Sequence, residues 1–420
     1  MPRIRFRHDR TTSRDAAPPN NFSASVFGRS NLRVTARVLM VVPDCPVPAD
    51  HGGRIDMLGQ VQALAALGAT VDLLIATYDA PSDVQRALLA PLVRRVIWSP
   101  RARGFAAHAS LEPFQVASRR SLMRAPLEGP YDLVLLETHY VTAILDHPDV
   151  RGTPTALRAQ NDEPHYFRGL ARAERSPVRT LFYRAEAVRF GWAEPALLTR
   201  IDSWLFLSTE ELDQFRLDHP TLSSVLLGPP WHPQPRAARS PVPGHVLWLG
   251  SLFMVNNRHG LDWYLEQVHP IMLEVEGYHL TIAGNARGTD LTNLRAMAAE
   301  PQQRITLLES PAEVDSLYQR ASVIAAPIFR GAGVKLKTIN AFEHAVPIVT
   351  TRVGIEGTRL ASPVHLRTAE SPDDFAHALR SALIDPATAD QRVEAGRKLL
   401  GDHNDPKSVL RVLLLSVAAQ

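Results

Sequence analysis

From residue 37 to its end, the chain alternates short apolar runs with stretches of helical spacing, and this alternation limits its fold more than any other feature. The runs RVLMVVP (from Arg37), TVDLLIA (from Thr70), RVIWS (from Arg95), YDLVLLE (131–137), TALRA (from Thr155) and SWLFLS (from Ser203) come first. HVLWLG (from His245), YHLTIAG, RITLLE, SVIAAP and PIVTT follow. Runs this apolar read as strands buried on both faces, and strands joined by helices must run parallel with right-handed crossovers. The expected fold is therefore α/β and doubly wound. At 420 residues the chain exceeds one compact core, so two Rossmann-like domains are expected. The boundary falls in GPPWHPQPRAARSPVPG, a patternless stretch with six prolines. The divisions are an unstructured tail (1–36), a first domain (37–227), a linker (228–244), a second domain (245–400) and a C-terminal segment (401–420). That last segment, with apolar Val409, Leu410, Val412, Leu413 and Val417, reads as a helix packed on the domains.

In parallel sheets, ligands bind beyond the carboxyl ends of the strands, so chemistry is sought there. The densest candidate is Gly331–Asn340 (GAGVKLKTIN), between the run SVIAAP and a helix. Gly331 and Gly333 permit a tight turn, and Lys335 and Lys337 fall in the first helical turn. Free amides at a helix start beside ammonium groups form a phosphate or diphosphate site, and cations ordinarily avoid that end of the dipole. A glycine turn carrying two solvated lysines satisfies the same spacing and stays open at this point. Gly52 and Gly53 precede the helix after the first strand and allow close backbone approach, although they do not form a dinucleotide fingerprint. Glu137-Thr138-His139 and the cluster Arg158, Asn161 and Glu163 also follow strands, as does the loop Ser251–Asn257 after Gly250.

Charge narrows the partners. Eight arginines against Asp9 and Asp15 give the first 37 residues +6, so the body carries −3 within a total of +3. A basic leader on an acidic body is unlike a nucleic-acid-binding domain, whose basic residues spread over a folded face. The leader either contacts anionic lipid headgroups or has no partner. Cys45 stands alone, which rules out an internal disulfide and a cysteine–zinc cluster. No run approaches a membrane span, and no apolar stretch follows the arginines as in a secretory signal, so a cytoplasmic location is expected, peripheral at the inner membrane face if the leader binds lipid.

Four stretches between about Arg37 and Leu400 together resemble the retaining glycosyltransferases of the GT-B type, family 4 (glycosyltransferase group 1). They are the first strand with PVPADHGGR; LRAQNDEPHYFRGL; WLGSLFMVNNRHGLDWYLEQVHP leading to LTIAG; and RGAGVKLKTINAFEHAVPIVTTRVGIEG. The resemblance implies two Rossmann-like domains facing across a cleft, and sugar transfer from a nucleotide-diphosphate sugar to an acceptor hydroxyl, as in polysaccharide or glycoconjugate synthesis. Glycan, lipid-linked and small-molecule acceptors all fit. Gly52, Gly53, Gly331, Gly333 and Lys335 would hold the diphosphate, with Lys337 beside them. Gly250, Ser251, Asn257 and Arg258 would line the nucleotide side, and Asn340 would face the ribose. His139 would lie near the reacting sugar, with Arg158, Asn161 and Glu163 on the acceptor side. No cofactor or metal is expected beyond the nucleotide-sugar co-substrate. The chain departs from the family pattern at Ala332 and Asn340, where a Glu-x7-Glu pair falls, and at Gln160, where histidine is usual; Glu343 is a substitute acceptor one turn beyond Asn340. Those departures leave a second reading open, a non-catalytic GT-B protein that binds a nucleotide sugar or scaffolds polysaccharide assembly.

Overall fold

A computed structural model describes residues 35–49, 52–104, 107–174, 176–235, 239–331, 333–403 and 405–418. The expectations for residues 1–34 and for Ala332 lie outside them. The first domain holds a seven-stranded parallel sheet: β1 (Arg37–Val42), β2 (Thr70–Thr77), β3 (Arg95–Pro100), β4 (Leu133–Glu137), β5 (Thr155–Ala159), β6 (Ser203–Phe206) and β7 (Ser224–Leu226), in the order β3-β2-β1-β4-β5-β6-β7. The second holds β8 (His245–Leu249), β9 (His279–Gly284), β10 (Ile305–Glu309), β11 (Val323–Ala326), β12 (Ile348–Thr350) and β13 (Arg367–Thr368), in the order β10-β9-β8-β11-β12-β13. Each sheet thus opens with the doubly wound pattern, which reverses direction beside its first strand.

The unbroken apolar runs follow from double coverage. Val38, Met40 and Val42 of β1 enter one core, while Leu39 and Val41 enter the core on the opposite face. In β8, Val246 and Trp248 face one core and Leu247 the other. With both faces dry, neither set of alternating residues can be polar.

The chain crosses between the sheets twice. Leu227 is buried in the first domain's core, whereas Trp231 packs against the second domain's. Glu343 in the second domain receives His232 N at 2.6 Å through its carboxylate and Gln234 N at 2.7 Å through its carbonyl. The return crossing follows the helix Pro386–His403, whose Val393 and Leu400 belong to the second domain. The final helix, Pro406–Ala418, lays Leu410, Leu413 and Leu414 into the first domain's core with Val61 and Leu64 of the helix Gly52–Ala66. No helix among the described residues is long and apolar enough to cross a membrane.

Candidate active site

Beyond β11 the backbone turns through Gly331 and Gly333, with φ of 118° and 72°. Side chains with a β-carbon avoid this left-handed region, so the turn needs glycine. The helix Leu336–Glu343 follows, with Lys335 at its N-cap and no side chain capping its first amides. Lys335 Nζ donates to Gly333 O at 2.5 Å and lies 3.7 Å from Glu356 Oε2; burial draws its pKa below the ordinary lysine value. Lys337 points to the end of β8. Its Nζ donates to Asn257 Oδ1 at 2.9 Å and sits 5.4 Å from the Trp248 ring, and desolvation lowers its pKa to about 8. Asn257 Nδ2 in turn donates to Ser251 O at 3.1 Å. Gly250 makes room for this group, because a β-carbon there would lie 3.1 Å from Lys337 Nζ. Arg258 turns away to Asp262 on its own helix, at 3.4 Å.

The first domain meets this turn directly. A β-carbon on Gly52 would sit 3.1 Å from Leu336 Cδ1, and one on Gly333 would sit 3.8 Å from both Asn161 Oδ1 and Gln160 O. Gly53 is the next residue of the helix that Gly52 opens. Gly52, Asn161 and the lysine turn therefore share the seam between the domains.

Other expected residues lie elsewhere. Arg158 is not presented to an acceptor: it is fully buried and pairs bidentately with Asp56, Nε to Oδ2 at 3.0 Å and Nη2 to Oδ1 at 2.7 Å. Its remaining donors reach Leu227 O at 2.7 Å and Gly228 O at 3.2 Å, so it ties β5 to the helix Gly52–Ala66 and to the start of the linker. Glu137 Oε2 stands 3.7 Å from Arg158 Nε, and burial pushes this second carboxyl up to about 8. Glu163 is buried and accepts from Tyr140 Oη at 2.8 Å; burial raises its pKa to about 7. Asn340 lies within the second domain. With its amide oriented to suit its neighbours, it donates to Glu343 Oε2 at 3.2 Å and Leu336 O at 3.1 Å. Glu343, holding the linker, is no substitute acceptor for a ribose hydroxyl.

His139 follows Thr138, a β-branched residue forced to φ 87°. Such strain persists only where its surroundings dictate it, and it clusters at functional sites. His139 opens on a first-domain cavity of about 320 Å³ shared with Asn161, Glu163, Phe190 and Trp204. Burial lowers its pKa to about 4, so the ring is neutral near pH 7, and Nδ1 has no hydrogen-bond partner among the described residues. Asn161 lines this cavity and also abuts Gly333, which joins the cavity to the seam.

A larger cavity, about 520 Å³, lies at the ends of β1, β2 and β3, among Asp44, Arg54, Tyr78, Arg101, Gln115 and Arg119. Sequence reasoning missed it. The available signal was the stretch after RVIWS, where residues 101–124 carry five arginines against Glu112 alone. In the fold, burial pulls the pKa of Arg119 down to about 9 and lowers that of Arg101.

Comparison with known proteins fits this geometry. A family model for glycosyl transferases group 1 matches residues 243–385, the second domain. An uncharacterized 44.6 kDa protein in the cps region of Klebsiella pneumoniae is 32% identical over 331 residues, which span 77% of this chain and 84% of that protein. Among solved structures, sucrose-phosphate synthase from Thermosynechococcus elongatus superposes with a TM-score of 0.62 at 15% identity, over 92% of this chain and 100% of the other. A TarM variant from S. aureus, in complex with Fondaparinux, alpha-GlcNAc-glycerol and UDP, gives 0.64 at 8% identity, over 91% of this chain and 100% of the other. The two parallel-sheet domains are those of a GT-B glycosyltransferase. The chain belongs to the glycosyl transferases group 1 family.

Proposed function

We propose that this glycosyltransferase belongs to family 4 and moves a sugar from a nucleotide-diphosphate sugar to an acceptor hydroxyl with retention at the anomeric carbon, in building a polysaccharide or glycoconjugate. The observation that carries the reading is Lys335 on an uncapped helix start, after two glycines in left-handed conformation, at a seam shared with Gly52 and Asn161. The cps-region relative supports the polysaccharide context, and UDP in the TarM complex supports a nucleotide donor.

In this mechanism the bond from the anomeric carbon to the diphosphate breaks, and negative charge grows on the departing oxygen. Lys335 and the first amides of the helix stabilise that charge in a partly desolvated setting, where fixed charges act most strongly. The acceptor oxygen bonds to the same face of the sugar, and its proton passes to a phosphate oxygen of the leaving group. No protein nucleophile is then required. His139, neutral in its buried setting, hydrogen-bonds a substrate hydroxyl, and Lys335 provides the countercharge without a resident metal. Peripheral membrane contact through the arginine-rich leader belongs to the same proposal.

The test is donor hydrolysis and transfer, screened with UDP-, GDP- and ADP-sugars and followed by mass detection. Losing one stabilising charge costs about 3 kcal/mol of barrier, so Lys335→Ala should turn over roughly a hundredfold more slowly. Unchanged turnover would sink the assignment. Loss of activity in chelator would refute metal independence, and an inverted anomeric proton coupling in the product would refute retention.

A further inference from the structure

The cavity at the ends of β1, β2 and β3 has an uneven charge balance. Among the described residues, three arginines, at 54, 101 and 119, line it together with two carboxylates, Asp44 and Asp79. Asp44 is taken by Arg54, with Nε at 2.8 Å and Nη2 at 3.1 Å, and Asp79 by Arg103 at 2.6 Å. Arg101 and Arg119 have no carboxylate within ion-pair distance among the described residues. Arg119, only 4% exposed, donates to neutral oxygens alone: Ala76 O, Pro43 O, and both Gln115 O and Gln115 Oε1. Arg101 stacks on Tyr78 with 4.6 Å to the ring centre and donates to Ser118 Oγ and Gln115 Oε1, both at 2.9 Å. Its Nη1 has no acceptor among the described residues.

Two guanidinium groups thus share one amide oxygen. A buried cation without a countercharge is costly, and like charges held together add to that cost. Carbonyl oxygens offset part of it, but they leave two positive charges facing an open cavity. We propose that this cavity receives a phosphate or diphosphate group on the sugar acceptor, with Arg101 gripping the anion and Arg119 fixed beneath it. Phosphate fits better than a carboxylate because two positive charges match a dianion, and the open face of Arg101 suits its paired oxygens. The cavity also reaches the reacting region. Arg54 in its wall is two residues from Gly52 at the seam, and Tyr140 in its wall holds Glu163 beside His139. The inference rests on the transferase reading above, for it names that reaction's acceptor class.

The test measures binding to the full-length chain by calorimetry, with glucose 1-phosphate, glucose, glucuronate, and farnesyl diphosphate in detergent micelles as probes. Glucose 1-phosphate or farnesyl diphosphate should bind while glucose does not. The tighter of the two distinguishes a soluble acceptor from a lipid-linked one. Arg101→Gln should weaken binding at least tenfold. Gln115→Glu should do the same while keeping the fold, because it gives both arginines an internal countercharge. Lys335→Ala should leave this binding within twofold while it weakens nucleotide-sugar binding, so failure here and failure of the donor assignment read out separately. The proposal is overturned if neither phosphorylated probe binds, if Gln115→Glu binds like the wild type, if only Lys335→Ala abolishes binding, or if glucuronate binds as tightly as glucose 1-phosphate.

Discussion

Replacing Asp56 by Asn tests the buried tie that holds the first domain's ligand-facing end in shape. Arg158 and Asp56 have side chains 0% and 4% exposed and meet through two hydrogen bonds, so Asn would leave a guanidinium without its main countercharge. Breaking a buried pair from one side costs about 3–5 kcal/mol. Glu137, 3.7 Å from Arg158, can ionise in its place, which puts the expected loss at about 3 kcal/mol, or roughly 6–12 °C for a domain of this size. The pH dependence is diagnostic. Burial, with the Asp56 charge adding to it and Arg158 opposing, raises the Glu137 carboxyl to about 8. The folded chain therefore keeps a proton that the unfolded chain releases near the ordinary glutamate value of about 4.3. Between those values the native state binds more protons, so its stability falls as pH rises, by up to about 1.4 kcal/mol per pH unit. In Asp56→Asn, Glu137 becomes the one carboxylate beside Arg158, its pKa drops, and this decline flattens. Urea unfolding of the full chain by circular dichroism, at about pH 5.5 and about pH 8.5, reads both effects. A variant within about 1 kcal/mol of the parent, or one that keeps its pH slope, would refute the role given to this cluster.

Lys337 titrates with the opposite sign. Its folded pKa is lowered to about 8, so the unfolded chain binds more protons above that value and this residue makes stability rise with pH from about 8 to about 10.4. Lys337→Met should abolish that rise; urea midpoints at both ends of the window check it. Gly333→Ala forces a β-carbon into φ 72° at ordinary contact distance from Asn161 Oδ1 and Gln160 O, so conformational strain of about 1–2 kcal/mol is the main expected effect on folding. Its transfer kinetics should show weaker donor binding, and unchanged donor affinity would argue against the turn as the diphosphate site. Deleting residues 1–34 should reduce partitioning onto anionic vesicles at low salt, and equal partitioning of both forms would end the membrane proposal.

Much of the architecture is visible in the residues because both sheets are covered on both faces. LVLLE and HVLWL have no polar alternation to confuse the reading. β7 and β13 are invisible for the opposite reason: at three and two residues, largely half-buried, they leave no run to find. The stretch from about Pro164 to Leu198 reads as one helical region, yet it is two helices, Glu163–Ala173 and Pro177–Leu198. Pro177 marks the second start, while Pro195 inside that helix shows that proline alone does not locate an end. Helical spacing in the first helix marks Ile55, Leu58, Val61, Leu64 and Leu67 as its apolar face; Val61, Leu64 and Leu67 are buried, but Asp56, Met57 and Gln60 are buried where Ile55 and Leu58 are not. Asp56 is drawn inward by a partner 102 residues away, a pairing that local periodicity cannot reveal. The same distance problem hid Arg158's structural role and the arginine cavity, whose walls come from three strand ends and from residues as far apart as Arg54, Gln115 and Tyr140. The lysine turn was legible because its glycines, cations and helix start are adjacent in the chain.

The double crossing of the chain has a mechanical consequence. Two bodies tethered at residues 227–235 and again between His403 and Pro406 cannot swivel freely about either tether. The easy motion is rotation about the line joining the two tethers, as a door turns on paired knuckles. Substrate entry and product escape would then share one swing of the leaf, and the contacts of Gly52 and Gly333 would re-form in register each time it shuts.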